Sequence, residues 1–192
     1  MVTTRTAPAG YRPERQTVRP TGIERTFSAD ELIVSKTDPR GVITYANDVF
    51  LRVSGYRHDE VIGAPHNLIR HPDMPKAVFK LLWDTLAAGQ ELFAYIDNLA
   101  ADGANYWVLA HVTPSYGADC RTVVGHHSNR RAPDPAAIAA IKPLYAQVLA
   151  EERRQPNGRA AVEAGSRLLD RLVAERASSY EELVWSVIGG GS

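Results

Sequence analysis

The spacing of apolar positions changes period several times between residues 30 and 131, and each change predicts an element. Residues 32–37 (LIVSKT) and 42–45 (VITY) are short β-rich runs and predict two strands. Asp38-Pro39-Arg40-Gly41 between them has Asp, Pro and Gly where a four-residue turn favours them. Asn47 precedes DVFLRVS and Gly55 follows it, the signature of a short helix with an Asn cap and a Gly stop. Residues 59–62 can add another helical turn before Gly63. Asp73-Met74-Pro75 then opens KAVFKLLWDTLAAG, whose apolar stripe is Val78, Phe79, Leu82, Trp83 and Leu86. From residue 92 the period is two. Strands are expected over 92–98, 105–114 and 122–129, joined at Asp102-Gly103 and at Tyr116-Gly117-Ala118-Asp119. The middle strand carries Tyr106, Val108, Ala110 and Val112 on one face and Trp107, Leu109, His111 and Thr113 on the other. Both faces are bulky, so both should be covered, one by the short helices and one by something outside the sheet.

Two strands, short helices, one longer helix and three more strands make an α+β domain: a five-stranded antiparallel sheet with short helices on one face and a pocket between the layers. Residues 132–192 read as a helical extension. Its first stripe is Ile138, Ile141, Leu144, Tyr145, Val148 and Leu149, and its second is Val162, Leu168, Leu169, Leu172 and Val173. Pro156-Asn157-Gly158 divides the two, and Ser178 or Ser179 followed by Glu181 or Glu182 marks a further helix start. These stripes must fold on the sheet's outer face, pair with a second copy, or dock on a partner. The arm is too polar to cover the sheet. Residues 1–29 hold five Arg, two Glu and three Pro with almost no clustered apolar residues, and read as a flexible arm. The division is therefore an arm at 1–29, a sensor-sized core at 30–131 and C-terminal helices at 132–192, with Gly189-Gly190-Gly191 a frayed end.

Composition narrows the function. Lys and Arg number 22 and Asp and Glu 22, so there is no basic excess for a nucleic-acid partner. One cysteine, Cys120, leaves no internal disulfide and suits a reducing compartment. No apolar run reaches membrane-spanning length and no hydrophobic signal core opens the chain. The expectation is a soluble cytoplasmic protein.

Chemistry gathers in RHPDMP. Arg70 can fork two donors onto a phosphate, His71 can stack or change charge near neutral pH, and Asp73 can cap the following helix. Arg70 paired with Asp73 as a loop anchor is the plainer alternative. Asn47 has its own structural use as a cap. Asn98 stands mid-strand, where Asn is disfavoured, and its amide offers both a donor and an acceptor. His66 and His71 have no acidic or thiol partners at metal-ligand spacing, and no HExxH, CxxC, GxGxxG, GxSxG or Walker pattern occurs.

The segments DPRGVITYANDVFLRVSGYRHDEVIGAPHNLIRHPDMPKAVFKLLW and DGANYWVLAHVTP resemble the PAS sensor domain, and more narrowly the PAS domain of bacterial aerotaxis receptors. PHNLIRHPDMP is the most specific string, and the likeness runs over about residues 30–150. The resemblance implies FAD bound noncovalently. By motif position it ties Asn47, Arg70, His71, Asp73, Trp83 and Tyr106 to flavin binding. It sets Asn98 against the flavin's polar edge, and His127 where flavin light-sensing domains place a pocket glutamine. The first long strand departs from the family's pattern: Leu92, Ala94, Asp97, Leu99 and Ala101 stand for Trp, Gly, Lys, Arg and Lys, so three cations are lost. A light-driven cysteinyl adduct is not expected, because His66, Asn67 and Leu68 occupy the loop positions where such a cysteine lies. Haem, the alternative ligand, has no axial His in residues 75–88.

The resulting expectation is a stand-alone, non-enzymatic redox or oxygen sensor of aerotaxis type signalling to a chemotaxis-type or kinase protein; because PAS domains frequently pair through helices flanking the sheet, the resemblance also implies a homodimer. A ligand-free interaction module is the alternative. On reduction Asn98 and His127 would re-pair, and the last strands would shift the helix after Pro135.

Overall fold

The computed structural model describes residues 18–189. The expectations for residues 1–17 of the arm and for Gly190 and Gly191 lie outside the described residues. Two short strands come first, β1 (Ile33–Thr37) and β2 (Ile43–Ala46). They are followed by α1 (Asp48–Ser54), α2 (His58–Val61), a 3-10 turn (His66–Ile69) and α3 (Lys76–Ala87). The long strands β3 (Leu92–Leu99), β4 (Asn105–Tyr116) and β5 (Val123–Arg131) come next, and the helices α4 (Pro135–Arg153), α5 (Gly158–Ala174) and α6 (Tyr180–Gly189) end the chain. The sheet is antiparallel throughout, in the order β2-β1-β5-β4-β3.

Local chemistry sets the short elements. Asp38 accepts the backbone N–H of Arg40 and Val42, and Gly41 closes the turn at φ 80°. Asn47 caps α1 by accepting from Phe50 N–H at 3.0 Å, and Gly55 ends it in the left-handed conformation. The expected start at Ser178 and Ser179 holds as well: Glu182 accepts from Ser178 N–H at 2.7 Å and Ser179 Oγ from Glu182 N–H at 3.1 Å.

Pairing register sorts the side chains into two faces. Asn98 lies opposite Tyr106, Ala110 opposite Arg130 and Ser128 opposite Ser35, so these share the inner face, under α1, the 3-10 turn and α3. Asp97 opposite Trp107 and Thr113 opposite His127 share the outer face.

The outer face is covered by the chain's own C-terminal helices. Tyr145 of α4 lies against Trp107 and donates to Tyr95 O at 2.9 Å, and its hydroxyl meets that of Tyr180 at 2.5 Å. Trp185 of α6 packs on Phe93, which itself stacks on His111. Helix α5 packs on both α4 and α3. Ile138, Ile141, Leu144, Tyr145 and Val148 are all buried in one core with the sheet. The stripe expected to seek a second copy is therefore satisfied within the chain, and the surface that motivated a homodimer is gone.

Part of the arm is also ordered, contrary to the flexible arm expected. Thr21 N–H donates to Gly103 O and Arg25 N–H to Asn105 O, while Asn105 N–H donates to Ile23 O. Arg25 then reaches Val53 O at 2.6 Å and Asp102 at 2.5 Å. Its polar composition is offset because the open backbone at the start of β4 supplies partners.

Candidate functional site

The inner face of the sheet, or chamber face, has Phe50 and His66 beside Arg130, is apolar at Val108 and Ala110 and is polar at both ends. One end holds Asn98, 3% exposed, beside fully buried Tyr106, whose phenol burial pushes towards the neutral form. The other end is a basic cluster. Arg130, 4% exposed, donates through Nη2 to Ser35 Oγ at 2.9 Å and lies 2.6 Å from His66 Nε2. Its guanidinium also sits 5.8 Å from the Phe50 ring centre. Burial lowers the Arg130 pKa to about 10. Burial and the Arg130 charge hold His66 at about 3, so its Nε2 is the acceptor of the pair.

Among the described residues, three polar atoms of this face have no partner: Asn98 Nδ2, Ser128 Oγ and Arg130 Nη1. Buried polar groups are nearly always satisfied, because each one left unpaired costs about 1–3 kcal/mol. Donors such as the Asn98 amide and the Arg130 guanidinium suit carbonyl or ring-nitrogen acceptors.

The residues singled out from sequence do not all meet here. Asn98 and Tyr106 do, and Trp83 stands at the rim, 41% exposed, edge-on to His126 at 5.4 Å. His127 does not. It points to the outer face beside Lys36 and His111, and its inner-face neighbour in sequence is His126. A strand has a period of two, so a position counted one residue out lands on the wrong side of the sheet. The expected exchange between Asn98 and His127 across one ligand is therefore not possible.

The RHPDMP loop runs along the free edge of β3, where Arg70 bridges to Asn98 by backbone pairing. Burial lowers the pKa of Arg70, whose guanidinium lies 3.9 Å over the Phe79 ring and reaches Met74 O at 3.4 Å. Arg70 does not pair with Asp73, so the loop-anchor alternative is also corrected. His71 falls opposite Asp97, its Nδ1 accepting from Asp73 N–H and lying 3.9 Å from the Asp97 carboxylate. Arg70 and His71 line a groove of about 300 Å³ with Met74, Leu149 and Glu152. Asp73 is exposed, paired to Arg153 of α4 at 2.6 Å, and does not cap α3. That cap is Glu152, which accepts from Lys76 N–H at 2.9 Å and Ala77 N–H at 2.8 Å. Asn47 is fully engaged in structure, accepting from Val34 N–H and donating to Leu32 O besides its capping bond.

Sequence reasoning missed Ser35, His66, His126, Ser128 and Arg130 as chamber residues. Only the alternation of HHSNR on the last strand carried a signal, since it puts one His, the Ser and the first Arg on a common face.

Residues 43–125 match the family model described as PAS fold. This region is a PAS domain. The chain is 41% identical to the aerotaxis receptor of Escherichia coli (strain K12) over 116 residues, which are 60% of this chain and 22% of that protein. It is 33% identical over 81 residues to a nitrogen fixation regulatory protein of Klebsiella pneumoniae, over 42% of this chain and 16% of that one. The chain thus spans about a fifth or less of these relatives' lengths. A solved light-oxygen-voltage domain, from a structure concerned with a flavin analogue, shares the fold at TM-score 0.50 and 23% identity over 65% of this chain and 87% of that one. Among the described residues no helix is long and apolar enough to cross a membrane. The C-terminal helices are built onto the outer face of this PAS domain.

Proposed function

We propose that this protein is a cytoplasmic redox or oxygen sensor that binds FAD noncovalently in the inner chamber and signals by protein contact rather than by catalysis. The observation that carries the reading is the set of unpartnered donors on the inner face, Asn98 Nδ2 and Arg130 Nη1 with Ser128 Oγ. The likeness to the aerotaxis receptor supports it. A flavin, when bound, would supply a ring edge whose hydrogen bonding changes with redox state. Asn98 would hold that edge through its side-chain amide.

The chain's own contacts supply a route outward. Asn98 pairs by backbone with Arg70, the first residue of the RHPDMP loop. That loop leads to Lys76 and Ala77, whose N–H groups are held by Glu152 of α4. A change at Asn98 therefore bears on the seating of the C-terminal helices. A hydrogen bond worth about 1–1.5 kcal/mol shifts such an equilibrium by about tenfold. A chemotaxis-type or kinase signalling protein would read the helices' outer surface.

The test is the absorbance spectrum of the protein purified after expression with added riboflavin, followed by extraction and mass analysis. FAD in near-stoichiometric amount is expected. Colourless protein that takes up no flavin on reconstitution would reject the reading.

A further inference from the structure

Arg130 is a buried cation without an anion. Among the described residues no carboxylate forms an ion pair with it; its contacts are the Ser35 hydroxyl, a neutral His66 ring and the Phe50 face. One guanidinium nitrogen, Nη1, has no partner, and the Ser128 hydroxyl two residues back on the same face has none either. Burying a charge is costly unless it is paired, and a guanidinium presents five donors of which few are used here. Nothing in the apolar packing calls for arginine at this position: Ala110 lies opposite on β4 and Ile33 opposite on β1.

The position also says what kind of anion. Phosphates keep much of their hydration, whereas Arg130 lies beneath Phe50 and His66 with almost no access to water. A ring edge that gathers negative charge fits such a place and a nucleotide phosphate does not. Asn98 stands four residues along and two strands across on the same face, about 16 Å away between Cα positions. The long arginine side chain spans part of that gap.

We propose that Arg130, seconded by Ser128, binds the N1–C2=O edge of the flavin's pyrimidine ring and is the counter-charge that favours its reduced, anionic form. This rests on the flavin reading. His66 and Ser35 are positioning residues, since they hold Nη2 and leave Nη1 directed to the ligand. When dithionite reduces the bound flavin, two electrons and one proton enter it, the proton at N5, and dithionite is oxidised to sulfite. The negative charge left on the N1–C2=O edge is what Arg130 meets.

The test compares wild type, Arg130→Met and Arg130→Lys in the full chain. Flavin affinity is measured by fluorescence and the midpoint potential by dithionite titration against reference dyes. Arg130→Met should bind flavin at least tenfold more weakly. Its midpoint potential should fall, with each tenfold loss of preference for the reduced form worth about 30 mV. Arg130→Lys should keep most of the potential and lose affinity. Affinity and potential both unchanged in Arg130→Met would overturn the proposal while leaving the flavin reading intact. Should Arg130→Met fail to fold, the Lys variant decides by the same two readouts. Thermal melting of flavin-free protein separates the two ideas further. Removing an unpaired buried charge should raise the melting temperature of flavin-free Arg130→Met above that of flavin-free wild type. A lower one would make Arg130 a structural residue whatever the wild type's flavin content.

Discussion

Glu152, in the last turn of α4, caps the N-terminus of α3 by accepting from Ala77 N–H at 2.8 Å and Lys76 N–H at 2.9 Å. The carboxylate is 5% exposed and lies against Gly165 of α5. One side chain thus joins the sensor domain to two helices of the extension. Glu152→Ala should lower stability by about 2–3 kcal/mol, because it strands two amide donors in a buried place. Urea unfolding measures this directly, and Glu152→Gln should lose less.

Gly165 gives a test with a change of sign. A Cβ there would stand 2.6 Å from Glu152 Oε1 and 2.7 Å from its Cγ. Gly165→Ala should therefore destabilise the wild type by about 1–3 kcal/mol through overpacking. In a Glu152→Ala background the obstacle is gone, and the same change should stabilise by roughly 0.5–1 kcal/mol through helix propensity. A double-mutant cycle by urea unfolding reads the coupling. Additive effects would show that the two residues do not meet.

Acid sensitivity should centre on His66. Its folded pKa of about 3 is far below the ordinary 6.5, so the unfolded chain binds the extra proton between these values. Stability is then fully present above pH 6.5 and is lost as pH falls towards 3. Between pH 7 and pH 5 the loss should be about 1–2 kcal/mol, given that His66 is only half-buried. His66→Gln should remove most of that pH dependence. An equal slope in both proteins would place the titrating group elsewhere.

The two adjacent histidines should behave differently. Asn98→Ala and His126→Ala alter the chamber face or its rim, so each should reduce flavin retention several-fold in a fluorescence titration. His127→Ala changes the outer face and should leave retention at the wild-type level.

Ending the chain after Arg131 would uncover Trp107, Tyr95 and Leu109 on the outer face. Such a fragment should bind a hydrophobic dye and elute as aggregates on size exclusion, whereas the full chain should not.

Features fixed by near neighbours were legible in the sequence. The Asp38–Gly41 turn, the Asn47 cap, the Gly55 stop and the Ser179–Glu182 start each join groups a few residues apart, so spacing alone announces them. Alternation on β4 showed that both faces of the sheet are covered. RHPDMP was recognised as a loop with chemistry, yet its parts separate. Arg70 turns onto Phe79, His71 faces Asp97 and Asp73 goes to Arg153.

The amino-acid order by itself determined the strands, the helices and their order along the chain, because backbone propensity, capping and period act over a few residues. Tertiary structure alone decided which of His126 and His127 lies on the inner face, since strand register depends on partners up to 97 residues away. It decided that Arg130 is a buried cation, because charge and burial come from different parts of the chain. It also decided that the stripe of α4 closes on its own sheet rather than on a second copy. An amphipathic pattern states that a face must be buried, and only the packed molecule says against what.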